Sequence, residues 1–254
     1  MKNAIVFIIT GIILYAFAPA DKKQSKTEST FEPIAVVELF TSQGCSSCPS
    51  ADNLFAKTKA ANKNSNLFML AYHVDYWNRL GWKDPFSSKD FSDRQYEYAK
   101  ALNKTGVFTP QVVVNGKAEF VGSNETDLQK NITSALKENS KAKFIEINIV
   151  EKTTDALKIK YKLDGETDNS KIVFLLISDK EITEIKKGEN EGLTLTNENI
   201  VTQISNENIL ANKEGLIDVK INTSGLKSHT IIALIQENNT LKIKGAAKLF
   251  IKQP

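Results

Sequence analysis

The sequence predicts an α/β unit carrying an aromatic-rich insertion, followed by an all-β, sandwich-like half. Three observations carry that prediction. The stretch VVELFTSQGCSSCPSAD, Val36 to Asp52, sets the two cysteines of the chain, Cys45 and Cys48, between a buried-strand pattern and a helix start. A second strand pattern follows that helix, which makes a βαβ unit. Beyond Ser140 the chain turns into short β-rich runs at regular spacing with turn residues between them.

The 254 residues leave room for one large domain or two ordinary ones. A hydrophobic fraction of 41% and a charged fraction of 25% are those of a globular protein. The net charge of +3 is mild, and the lysines are scattered without a dense basic block, so nucleic acid is not an expected partner.

Taken in order, Lys2, the apolar run Ala4 to Ala18 and the small residues Ala18-Pro19-Ala20 form the n-region, h-region and cleavage site of a signal peptide. The run is short for a membrane span, which needs about 20 apolar residues. Residues 1–20 are therefore expected to be removed near Ala20, and the only membrane contact expected is through that segment before cleavage. Residues 21–31 read as a polar, disordered spacer. The mature protein is expected to be secreted or periplasmic, where disulfides persist. Residues 32–141 form the expected α/β domain and 142–254 the expected β-sandwich-like domain, with the boundary near Ser140 to Lys143.

Within the first domain, Ala35 to Phe40 is a buried strand interrupted only by Glu38. Pro49 suits the first turn of a helix that continues through SADNLFAKTKAAN. Leu67 to Tyr72 is the second strand. His73 to Phe86 holds both tryptophans, Trp77 and Trp82. Lys89 to Leu102 is helical. Gln111 to Val114, an Asn115-Gly116 turn and a return strand make a hairpin after Thr109-Pro110. A helix over Thr126 to Glu138 closes the unit. In the second half KFIEINIVEK, DALKIKYKLDGE, SKIVFLLIS, GLIDVKI, HTIIALIQENN and LKIKGAAKLF are the strand-like runs.

The cysteine spacing narrows the chemistry. A disulfide stabilises mainly by closing a loop in the unfolded chain, so a C-x-x-C staple does little. Structural zinc needs four protein ligands. It would require His73 and His229, which show no ligand spacing. A redox pair fits better. A helix N-terminus favours an anion and can lower a thiol pKa from about 8.5 to ~3.5–7.5. Cys45 is then the exposed nucleophile and Cys48 the resolving thiol.

The motifs ELFTSQGCSSCPSAD, AYHVDYWNRLGWKDPF, RQYEYA, VFTPQVVVNG and GENEGLTLTNENIV resemble the secreted family called domain of unknown function twelve twenty-three. The order strand, C-x-x-C, helix, strand, Thr-Pro resembles the thioredoxin-like superfamily. The resemblance implies a thioredoxin-like core, a β-rich extension and export. It implies that Pro110 is a cis-proline facing the cysteines, with the backbone of Thr109 offered to a substrate chain; an ordinary trans proline opening a strand is the alternative. The Ser46-Ser47 dipeptide departs from the Gly-Pro of thioredoxin and leaves the direction of electron flow open. Glu38 is either a proton acceptor for Cys48, in analogy to a buried thioredoxin aspartate, or a structural carboxylate bonded to backbone or to Arg79 or Arg94.

Parallel first and second strands put His73 and Asp75 on the sheet edge that carries Cys45. His73, Asp75, Trp77 and Trp82 are then a substrate-facing wall or lid, with His73 tuning the thiolate. Alternatively Cys45, Cys48 and His73 bind Cu(I), or the aromatics merely bury a domain junction. The leading function is an exported thiol–disulfide oxidoreductase with protein thiols or disulfides as partners and no cofactor beyond the redox-active disulfide. A copper-binding or delivery module and a partner-binding protein with a passive disulfide are the alternatives.

Overall fold

The computed structural model describes residues 31–62, 66–221 and 229–251. The expected signal peptide, its cut near Ala20 and all of the spacer but Phe31 lie outside the described residues.

The opening follows the sequence pattern. Strand β1 (Ala35–Thr41) is buried along its whole length and leads into α1 (Cys48–Ala61). Pro49 occupies the first turn of α1, where its missing N–H removes nothing. The helix buries Cys48, Ala51, Asp52, Phe55 and Thr58, a stripe at helical spacing. Strand β2 (Leu67–His73) lies parallel to β1, pairing Thr41 with His73. Helix α2 (Lys89–Ala101), capped by Ser88, buries Phe91, Arg94, Gln95 and Tyr98. A hairpin of β3 (Gln111–Val114) and β4 (Ala118–Val121) pairs antiparallel with β1, and α3 (Glu125–Ala135) follows.

The rest of the chain is β5 (Ala142–Lys152), β6 (Ala156–Gly165), β7 (Ser170–Glu184), β8 (Thr194–Asn208), β9 (Glu214–Lys220), β10 (His229–Glu237) and β11 (Ile243–Ile251). These strands overturn the expected fold class. One eight-stranded mixed sheet runs β11-β10-β7-β8-β2-β1-β3-β4, and a three-stranded sheet, β5-β6-β9, packs on its far end. With eleven strands against three α-helices among the described residues, the protein is mostly β. It is not an α/β thioredoxin-like domain with a sandwich appended.

The physical reason is β8. Its sequence, TLTNENIVTQISNEN, is too rich in Asn, Thr and Glu to show a strand period. Strand β7 pairs with it antiparallel over nearly its full length. Ile200 of β8 then reaches Ala71 of β2, parallel. The Asn199 side chain also donates to the Met69 carbonyl, 2.9 Å. Strand β2 is buried on both faces, so its outer edge needs partners, and β8 supplies them. A single apolar cluster accordingly crosses the expected boundary, joining Val36, Phe40, Tyr72 and Tyr98 to Val173, Leu175, Val201 and Leu234.

Candidate functional site

The side chains of β1 alternate between two faces. Ala35, Val37 and Leu39 pack against Ala51 and Phe55 of α1. Val36 and Phe40 pack against Phe91 and Tyr98 of α2. Glu38 shares the second parity. Its carboxylate is fully buried and bonded to Arg94 of α2, at 2.8 Å from Nε and 2.7 Å from Nη2, and to the Tyr98 hydroxyl. Gln236 of β10 completes the group by accepting from Arg94 and donating to Tyr98. Glu38 therefore lies across the sheet from α1, in a closed ion pair. Its place matches the structural alternative and not that of a proton acceptor for Cys48.

On the α1 face, Cys45 and Cys48 form a disulfide at the helix start. Both are fully buried, whereas Ser46 and Ser47 between them are exposed. The expectation of an exposed Cys45 is corrected here. The cover comes from the loop between β7 and β8. Asn190 donates its amide hydrogens to the carbonyls of Gln43 and Cys45, each at 2.9 Å, and the Glu189 carboxylate accepts the Ser46 N–H at 3.1 Å.

The Thr109–Pro110 bond is cis. The Ser47 hydroxyl lies 3.5 Å from the Thr109 carbonyl oxygen, and Cys45 Sγ lies 3.3 Å from the Ser47 hydroxyl. Gly122 is wedged between Leu39, Pro110 and Ala51, where a Cβ would stand 2.9, 3.2 and 3.3 Å from their side chains. That glycine lets the end of β4 hold Pro110 against the first turns of α1. Gln95 fixes the approach to the bond by donating to the Phe108 carbonyl and to Gln111 Oε1.

The aromatic insertion is split by the structure. Trp77 is half-buried beside Gly44, and its Nε1 donates to Thr109 Oγ1 at 2.7 Å, so it stands between the cysteine turn and the proline loop. Trp82 Nε1 donates to Gln43 Oε1 at 3.2 Å. Asp75 turns away from the cysteine turn towards α2, where its N–H donates to the Ser92 hydroxyl and its carboxylate accepts from it. His73 lies beneath that turn, fully buried, with its Nδ1 2.7 Å from Asp84 Oδ2. The same Asp84 oxygen accepts the Gln43 N–H.

Asp52 was missed by sequence reasoning. It stands one turn behind Cys48 on the buried stripe of α1, and accepts from Thr41 at the end of β1. A carboxylate on an otherwise apolar stripe was the signal that could have found it. Burial pushes its pKa up to about 6, against the opposing pull of His73. Burial drives the His73 pKa down, but Asp84, with Asp52 behind it, outweighs this and raises it. Burial alone would raise Asp84, and His73 holds it low. Thus Asp84 and His73 are an ion pair and Asp52 titrates beside them. His73 Nε2 is buried without a hydrogen-bond partner.

Among the described residues no three or more His, Cys, Asp or Glu side chains gather as metal ligands, and no helix is long and apolar enough to cross a membrane. A groove of about 570 Å³ lies between β5 and β11, lined by Ile149, Leu249 and Phe250, at the end of the sheet away from the cysteines.

A family model described as "Protein of unknown function (DUF1223)" matches residues 36–236. An Agrobacterium tumefaciens protein, solved by X-ray crystallography as a structural-genomics target, is similar at 27% identity with a TM-score of 0.66, over 86% of this chain and 95% of that one. No functionally curated protein matches.

Proposed function

This chain belongs to the DUF1223 family, and from that premise we propose that it is an exported thiol–disulfide oxidoreductase acting through Cys45 and Cys48. One observation carries the reading. The disulfide starts α1 with Thr109–Pro110 at its side and a titratable buried carboxylate, Asp52, one turn behind Cys48. Perturbed ionisable groups of this kind concentrate at reactive sites. Export rests on the first twenty residues of the sequence.

In the dithiol state Cys45, at the positive end of α1, carries the thiolate. It attacks one sulfur of a substrate disulfide; that S–S bond breaks and the second substrate sulfur leaves as a thiolate. Cys48 then gives its proton to Asp52 and attacks the Cys45 sulfur; the bond between Cys45 and the substrate breaks, the first substrate sulfur leaves as a thiolate, and Asp52 and solvent return a proton to each substrate thiolate. The products are the substrate dithiol and the Cys45–Cys48 disulfide, and the reverse sequence oxidises a substrate dithiol. Asp52 is suited to this because a carboxyl with a pKa of about 6 both accepts and returns a proton near neutrality. His73 and Asp84 hold a compensating pair of charges behind it.

The test is covalent capture. Reduced Cys48→Ser protein, mixed with a disulfide-containing model protein, should accumulate a mixed disulfide through Cys45. Cys45→Ser should accumulate none. If Cys48→Ser captures nothing, the reading fails.

A further inference from the structure

The loop between β7 and β8 does more than join two strands. Residues 188–193 form a preformed turn, with Glu191 N–H on Gly188, Leu193 N–H on Asn190 and Gly192 N–H on Ile185. Gly188 and Gly192, at its two ends, have φ of +83° and +84°, values that glycine adopts readily. Hinges are built from a few such end positions. The turn is docked onto the cysteine segment by two side chains, both reaching backbone. Asn190 is buried and holds the carbonyls on either side of Gly44. Glu189 is exposed and takes the N–H of Ser46, between the two cysteines.

The Ser46 N–H is the backbone donor immediately after Cys45, just ahead of α1, whose N-cap is Ser47 and whose electropositive start favours a thiolate. In the disulfide, Cys45 Sγ has no charge and Glu189 is free to use that donor. Hydrogen bonds from Ser46 hold the Glu189 carboxyl below its usual range, so it is anionic at neutral pH. Lys186 is paired with Glu184 and does not neutralise it. Reduction places a second anion beside the same donor.

We infer that Glu189 and Asn190 strap the β7–β8 loop across the oxidised cysteine pair, and that a thiolate on Cys45 displaces Glu189 and releases the strap. This rests on the redox role proposed above and gives it a direction. The disulfide is shielded and the dithiol is open, so the open form attacks disulfide-bonded polypeptides. Two electrons and two protons pass to the substrate sulfurs as the Cys45–Cys48 bond forms. The shielded form is returned to the dithiol by a dithiol donor protein able to displace the loop.

The experiment compares amide hydrogen exchange over residues 186–193 in the oxidised full chain and after reduction by dithiothreitol, whose two thiols supply both electrons. Exchange should be about tenfold faster in the reduced protein, the equivalent of one or two lost hydrogen bonds. Asn190→Ala should bring the oxidised form to the same fast exchange and speed its reduction by dithiothreitol about tenfold, as expected when two carbonyl contacts are lost. Glu189→Gln keeps an acceptor but no charge, and should erase the difference between the redox states. Equal exchange in the two wild-type states overturns the inference, as does a difference that survives in Glu189→Gln. A redox-dependent loop without Cys48→Ser capture leaves the strap standing and removes only the oxidoreductase reading.

Discussion

Two buried polar groups face each other through the same sheet, and they are built to opposite ends. On the α2 face, Glu38, Arg94, Tyr98 and Gln236 satisfy one another in a closed network. The Arg94 guanidinium also sits 5.1 Å from the Tyr98 ring and 5.5 Å from the Tyr72 ring. On the α1 face, Asp52, His73 and Asp84 form a group with a loose end. Asp52 keeps a pKa of about 6 and His73 Nε2 has no partner. The four members of the first arrangement are paired with one another, although the buried Tyr72 hydroxyl beside them has no hydrogen-bond partner. The second keeps a titratable carboxyl, Asp52, one turn from the disulfide. A buried charge in a strand is thus a poor guide to chemistry until its partners are known, because full pairing removes its reactivity.

The largest expected effect breaks the closed network. Arg94→Met leaves the Glu38 charge buried without its partner and should cost about 3–5 kcal/mol of stability, read from denaturant unfolding. Glu38→Gln should destabilise as well, yet leave the pH profile of thiol exchange unchanged. A shifted profile in Glu38→Gln would erase the distinction between the two faces.

An intermediate effect opens the other group. The Asp52 pKa in the folded protein, about 6, lies above its ordinary 3.8. Its contribution to stability is therefore present below pH 3.8 and is lost as pH rises to about 6. Asp52→Asn should accordingly gain up to about 3 kcal/mol over the native protein above pH 6 and nothing below pH 4. Thermal unfolding at pH 4 and pH 8 reads both limits. The same variant should lose the inflection near pH 6 in thiol exchange. A gain of equal size at both pH values would mean that Asp52 does not titrate as described.

The smallest effect sets the baseline on the outside of α2. Lys89 and Asp93 pair at 2.6 Å with side chains 75% and 51% exposed. Solvent screens such a pair, and Lys89→Ala should leave the denaturant-unfolding midpoint essentially unchanged. A lowered midpoint would show that α2 depends on its surface as well as on Arg94.

What the sequence revealed followed local physics. The strand before the cysteines, the helix start at Pro49 and the hairpin after Pro110 are decided by neighbours, and they stand where pattern and turn chemistry place them. What it concealed was long-range. Glu38 stood out because it interrupts an apolar run, but its partner is supplied by α2 and β10. Asp52 is one polar residue within the stretch SADNLFAKTKAAN, and its burial depends on β1 and β2 closing over α1. The cover on Cys45 comes from Asn190, far along the chain in a segment that reads as loop. Strand β8 was hidden because its pairing with β7, rather than its composition, makes it a strand.

The contact of Ile200 with Ala71 has a consequence for how the molecule is made. A ribosome delivers β1, α1 and β2 long before β8. For that interval β2 presents an open row of backbone donors and acceptors, the kind of edge on which nascent chains cross-pair. Closing it requires a loop spanning half the protein, which slows formation of the sheet. Cutting the gene near Ser140 would make that transient edge permanent. The two halves are therefore expected to fold only together, and the amino-terminal half expressed alone should aggregate on its unpaired edge, which a solubility assay would read.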